Sequence, residues 1–154
     1  MIRIFFNILK NLDPEVAHKL TINALKLPNP FIESSNDIPI LSNDINGLRF
    51  KNPIGMAAGF DKNAEVINSL FNLGFGFTEC GTVTPRPQFG NAKPRVFRLA
   101  SDKAIINRLG FNNNGIEKFL MNMSKSNKNG VLGANIGPNT VSYTHLTLPT
   151  TMLV

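Results

Sequence analysis

Tryptophan is absent from this chain of 154 residues, and tyrosine and cysteine occur once each. The lone Cys80 excludes an internal disulfide framework, so a reducing, cytoplasmic compartment is the simplest expectation. With 12 Phe against a single Tyr, the core leans on Phe, Ile and Leu. No apolar run approaches the roughly 18 residues that a membrane-crossing helix needs. Basic runs are missing too: 16 Lys and Arg against 10 Asp and Glu give a net charge of +6, but they are scattered. Without a basic patch interleaved with aromatics, nucleic-acid binding is set aside, while anionic ligands or an anionic membrane surface suit the charge. No metal site is expected. An apolar fraction of 42% with 17% charged residues fits a folded domain with a real core.

The stretch around which the chain is organised is Asn52-Pro53-Ile54-Gly55-Met56-Ala57-Ala58-Gly59-Phe60-Asp61-Lys62-Asn63. It reads as a short apolar strand over 54–58, a Gly-Phe-Asp-Lys turn, and a helix over about 64–73. Small residues crowd the strand's carboxyl end, where a flat ligand can lie directly on the backbone. Asp61 and Lys62 follow at the place where α/β proteins carry their ligands. Asp61 has two readings here, ligand group or helix cap.

Upstream, residues 1–11 and 13–27 read as two helices. The opening Met1-Ile2-Arg3-Ile4-Phe5-Phe6-Asn7-Ile8-Leu9 lacks a small-residue cleavage site and is expected to be retained. The second helix has Asp13 as N-cap, Pro14 at its first position and an apolar stripe of Val16, Leu20, Ala24 and Leu27. Such a pair either packs as a cap or forms an amphipathic platform on a membrane. Residues 28–39 are linker-like. Strands over 40–45 and 48–51 flank Asn46-Gly47, a strong hairpin signal. Further strands are expected over 77–83, 95–99, 104–107 and 131–137, with a helix over about 116–125. The alternation argues for a parallel sheet of βαβ units. Lys62, Thr82 and Asn135 each stand near a strand's carboxyl end.

Five anchors then occur in order: Asn52-Pro53 with Ala58-Gly59-Phe60-Asp61-Lys62; Gly81-Thr82-Val83-Thr84-Pro85-Arg86-Pro87-Gln88; Lys93-Pro94-Arg95; Ile106-Asn107-Arg108-Leu109-Gly110-Phe111-Asn112-Asn113; and Gly133-Ala134-Asn135-Ile136-Gly137. Together they resemble the class 2, quinone-dependent and membrane-associated dihydroorotate dehydrogenases, from about Asp13 to Asn139.

The resemblance implies an α/β fold, the N-terminal portion of a (β/α)8 TIM barrel with FMN at its carboxyl-terminal mouth, preceded by a small two-helix domain. Residues 1–39 would be the helical membrane and quinone platform with its linker, and 40–139 the first part of the FMN-binding barrel. Ala58, Gly59, Phe60, Asp61, Lys62, Thr82 and Asn135 would serve FMN. Lys62, Asn107, Arg108, Leu109, Gly110 and Phe111 would hold dihydroorotate or orotate. A ubiquinone-type quinone would be the electron acceptor, and the location the inner membrane, peripherally on its cytoplasmic side. The family takes a proton from C5 and a hydride from C6 of dihydroorotate in de novo pyrimidine (UMP) biosynthesis. Its base, a serine on a later loop, would lie beyond this chain, so no catalytic residue is assigned here.

The 88 residues of 52–139 hold about three βα units, against about 250 residues for a whole barrel. The barrel is therefore expected to be incomplete and the chain inactive alone. Residues 140–154 depart from the family and resemble translated adapter sequence; Tyr143 and His145 are given no role. His18 is read as a helix-face residue with a quinone contact as the alternative, and Cys80 as core. Two rival functions are another FMN-dependent barrel oxidoreductase and a non-catalytic, basic membrane-binding module.

Overall fold

A computed structural model describes residues 9–27, 38–127 and 130–140. Most of the first expected helix, the linker and the tail after residue 140 lie outside the described residues. Helix α1, Pro14–Lys26, starts as its sequence requires: the Asp13 carboxylate accepts the Glu15 and Val16 amides at 3.0 Å each, and Pro14 needs no amide partner. It packs on the rest of the chain through Ala17, Ile22 and Leu25. The stripe of Val16, Leu20, Ala24 and Leu27 is exposed. A row of small and apolar side chains one step around the helix makes the contact instead.

A 3-10 turn, Pro39–Leu41, leads into the hairpin β1 (Asn43–Ile45) and β2 (Leu48–Phe50). Asn46 and Gly47 both take positive φ, 50° and 79°, the tight turn whose twist matches paired strands. The first strand is shorter than the apolar run, because Pro39 to Leu41 coil before it.

Strands β3 (Gly55–Met56), β4 (Phe77–Val83) and β7 (Val131–Ile136) form a parallel sheet in the order β3-β4-β7. The first is two residues long rather than five. Helix α2, Ile67–Asn72, lies between β3 and β4 in sequence and also starts late. Asp61 spends its carboxylate on the amides of Glu65 and Val66 at 2.7 and 2.8 Å, and Ala64 sits at φ 56°, so the chain makes a capped loop before it can coil. The helix ends where expected, with Gly74 at φ 98° and amides of Gly74 and Phe75 returning to the Phe71 and Leu70 carbonyls.

An antiparallel hairpin, β5 (Val96–Leu99) with β6 (Ala104–Asn107), and helix α3, Gly115–Met123, separate β4 from β7. Ala64, Ile67, Phe71, Cys80, Val83 and Phe119 make one core cluster between sheet and helices, and Ile22, Val66 and Leu70 a second one beneath α1. The Ile, Val, Leu and Phe side chains among them contribute about 1.5–3 kcal/mol each by burial. Cys80 is fully buried, and burial pushes its thiol far above its ordinary value, which makes it an inert core residue. Among the described residues the sheet is open and no barrel closes. Helix α1 is docked on this body; most of the helix expected to pair with it lies outside the described residues.

Candidate functional site

The site is built at the carboxyl ends of β3, β4 and β6. After β3 the turn is tied to β4 by the Gly59 amide on the Gly81 carbonyl, 2.8 Å, and the Gly81 amide on the Asp61 carbonyl, 3.0 Å. Gly59 takes φ +104°, and a Cβ there would meet nothing within 4 Å, so its backbone faces open space. The loop after β6 is clamped by the proline-rich loop after β4. Asn91 gives its amide to the Leu109 carbonyl and its side-chain Nδ2 to the Arg108 carbonyl, at 3.1 and 2.7 Å, and Gln88 Nε2 reaches the Gly110 carbonyl at 2.9 Å. Gly110 takes φ +72°, and its neighbour Asn91 leaves no room for a Cβ.

Between these loops lies a cavity of about 340 Å³ lined by Ala58, Gly59, Lys62, Thr82, Asn91, Asn107, Arg108, Leu109, Gly110, Phe111 and Asn112. Nine of the twelve sequence-assigned site residues meet here. The other three do not. Phe60 and Asp61 line a second cavity of about 830 Å³ that opens between α1 and the same loops. Asp61 is buried and committed to the amides of Glu65 and Val66, so it ties the loop before α2, whose N-cap is Val66, rather than capping the helix itself; burial raises its carboxyl above the usual range against those hydrogen bonds. Asn135 stands behind Thr82, whose hydroxyl donates to Asn135 Oδ1 at 2.6 Å.

Lys62 lines both cavities. Burial lowers its ammonium below the usual lysine range, with Arg95 adding to the effect and Glu15 and Asp61 opposing it. Among the described residues no carboxylate lies within ion-pair distance of it. A desolvated cation of this kind is arranged to receive an anion. Asn107, exposed at the rim, also lines both cavities, its Oδ1 accepting the Leu109 amide at 3.4 Å.

Two residues that sequence reasoning did not assign also line the smaller cavity, Asn91 and Asn112. Asn112 Oδ1 is buried without a hydrogen-bond partner. The asparagine-rich run was its signal, but its neighbour Asn113 is structural: Asn113 Oδ1 accepts the Gly115 amide at 2.8 Å and its Nδ2 donates to Thr84 Oγ1 at 2.9 Å. Only three dimensions separate the two.

On the larger cavity, His18 donates from Nε2 to the Phe60 carbonyl at 2.7 Å and meets the Phe60 ring edge-on, centroids 5.5 Å apart. Burial, then Lys62, lowers its pKa, so the ring is neutral with its proton on Nε2 by hydrogen-bond assignment.

The donor set suits a flat, polar heterocycle. A backbone shelf at Ala58–Gly59 without side-chain bulk, the Thr82 hydroxyl and the Lys62 cation can hold one ring system, and Asn107 with Asn112 a second, smaller one. These residues fit a flavin with a small anionic heterocycle beside it.

A family model described as dihydroorotate dehydrogenase matches residues 40–143, four residues beyond Asn139. A protein of Chelativorans sp. (strain BNC1) named dihydroorotate dehydrogenase (quinone) is 56% identical over 128 residues, covering 82% of this chain and 35% of the relative. One of Rhodospirillum rubrum with the same name is 52% identical over 137 residues, 89% of this chain and 37% of the relative. Among solved structures, the dihydroorotate dehydrogenase of Eimeria tenella superposes with a TM-score of 0.72 in ligand-free form at 45% identity and 0.70 in complex with ferulenol at 49% identity. Each superposition covers 82% of this chain and 38% or 36% of the other. The chain thus spans little more than a third of the relatives it matches.

Proposed function

The chain belongs to the dihydroorotate dehydrogenase family, and from that premise we propose that it serves the oxidation of dihydroorotate to orotate in pyrimidine biosynthesis, with FMN as cofactor and a ubiquinone-type quinone as acceptor. The observation that carries this reading is the convergence of Ala58, Gly59, Lys62 and Thr82 with the 107–111 loop on one cavity. When bound, FMN supplies the two-electron chemistry that links the pyrimidine to the quinone. The chain's own residues bind and orient. Ala58, Gly59 and Thr82 hold the flavin. Lys62 faces the carboxylate of dihydroorotate, a charged hydrogen bond worth about 1.5–3 kcal/mol. Asn107 pairs with the amide edge of the pyrimidine, and Leu109, Gly110 and Phe111 wall it off from water.

The larger cavity, with His18, Phe60 and Ile22 on its walls, is the approach for the quinone. It lies under α1, whose outward stripe of Val16, Leu20 and Leu27 is 47%, 48% and 67% exposed. An apolar stripe next to the lysines Lys19 and Lys26 suits a helix resting on a membrane surface. No helix among the described residues is long and apolar enough to cross a membrane. Residues 1–39 are accordingly assigned as the platform and linker, and 40–139 as the first part of the barrel.

The test uses the full-length enzyme that carries this segment. Purified protein should retain FMN and should convert dihydroorotate to orotate with reduction of a soluble ubiquinone analogue. Retention of FMN with turnover only of a different planar substrate would replace this reading with that of another flavin barrel oxidoreductase.

A further inference from the structure

Strict alternation along β4 puts Thr78, Cys80 and Thr82 on one face and Glu79 and Gly81 on the other. Thr78 and Cys80 are indeed fully buried, Cys80 in the core cluster between sheet and helices. Thr82 departs from the rule. The register with β7 runs Gly81↔Asn135 and then Val83↔Ile136, so Thr82 is the extra residue of a β-bulge, and its side chain turns to the face shared by Glu79 and Asn135. Gly133, opposite Glu79 in the ladder, leaves that face open for the glutamate side chain.

The three side chains form a directed chain. Asn135 Nδ2 donates to Glu79 Oε1 at 3.0 Å, and Thr82 Oγ1 donates to Asn135 Oδ1 at 2.6 Å. The carboxylate only accepts, so it fixes which end of the Asn135 amide faces it. The amide oxygen is thereby turned to Thr82, and the single hydroxyl proton of Thr82 is spent on it. Towards the cavity, which Thr82 lines, the hydroxyl has lone pairs and no proton to give.

We propose that Glu79 is a positioning residue of the cofactor site: through Asn135 it sets Thr82 as a hydrogen-bond acceptor for a ring N–H of a planar heterocycle bound at the cavity wall. The inference rests on the assignment of FMN to this cavity. Glu79 itself touches neither cavity, and no sequence motif singles it out.

The experiment measures FMN affinity by flavin fluorescence in the full-length enzyme after removal and readdition of FMN, with the visible flavin spectrum as a second readout. Glu79→Gln loses the acceptor-only character that fixes the amide but keeps an oxygen that can accept from Asn135 Nδ2, so it should weaken FMN less than Glu79→Leu does. Glu79→Leu frees the amide to flip and should weaken FMN about tenfold, the size of one lost hydrogen bond, with a shifted flavin spectrum. In a Thr82→Val background the same Glu79→Leu change should cost less than about twofold, because its target is gone. Glu79→Asp, which keeps the charge and shortens the reach, should behave like Glu79→Leu and serves where the leucine variant does not fold. Wild-type affinity in Glu79→Leu or Glu79→Asp, or an undiminished loss in the Thr82→Val background, would overturn the proposal. Failure of the unmodified enzyme to take up FMN would instead overturn the assignment of FMN on which it rests.

Discussion

Arg95 and Glu15, 80 residues apart, hold α1 to the loop wall of the larger cavity by a forked ion pair. Arg95 Nη2 lies 2.7 Å from Glu15 Oε1, and Nε lies 3.1 Å from both carboxylate oxygens. The guanidinium is 7% exposed and also donates Nη1 to the Phe89 and Asn91 carbonyls. One buried side chain therefore couples the helix, the proline-rich loop and, through Asn91, the 107–111 loop.

The pair makes the docking of α1 pH-dependent. Hydrogen bonds from Arg95 hold the Glu15 carboxyl below its ordinary value of 4.5, outweighing burial. A carboxyl depressed on folding stabilises fully above its unfolded value, and that contribution is lost as pH falls through the lower folded value. Glu15→Gln should cost about 2 kcal/mol at pH 7, less than a fully buried broken pair. In denaturant titrations the gap to wild type should persist down to about the unfolded value and close below it.

In the proposed function Lys62 faces the carboxylate of the substrate. Lys62→Met should weaken orotate binding in the full-length enzyme by about 10- to 150-fold, the value of one charged hydrogen bond. Because burial lowers its ammonium, orotate affinity of the unmodified enzyme should decline on raising the pH before an ordinary lysine would titrate. Titration calorimetry across pH checks both.

Gly81 is confined twice. It takes φ +119°, and a Cβ there would run into the Asn135 carbonyl. Gly81→Ala should therefore destabilise by about 3 kcal/mol and disturb the bulge that aims Thr82. Lowered thermal midpoint together with weakened FMN binding is the expected pair of results.

The outward stripe of α1 is separable from folding. Leu20→Ser with Leu27→Ser should reduce co-sedimentation with anionic vesicles several-fold and lower the rate with a long-tailed quinone. The thermal midpoint and the rate with a short soluble quinone should hold, since neither side chain is in the core. Unchanged vesicle binding would remove the stripe from the membrane contact.

Local chemistry wrote much of this fold legibly into the chain. Asp13-Pro14 starts α1, Asn46-Gly47 turns the first hairpin, Gly74 ends α2, and the apolar run over 77–83 is β4 residue for residue. Each depends on a residue's own φ preference or on a partner two or three positions away, which sequence order alone specifies. The small-residue shelf and Lys62 stood out as a contiguous motif and the 107–111 loop through the family resemblance, and the fold brings them to one cavity.

What tertiary structure decided depends on partners far away in sequence. Only the packed fold turned Val16 and Leu20 outward and Ile22 inward, committed Asp61 to two amides while Lys62 stayed open, and left Asn112 unpartnered beside a satisfied Asn113. A bulge of one residue, set by the register of β4 against β7, brought Thr82 onto the face of Glu79 and Asn135. Sequence by itself determined which groups the site could contain; burial and strand register, which sum over contacts more than fifty residues apart, decided which way each one faces.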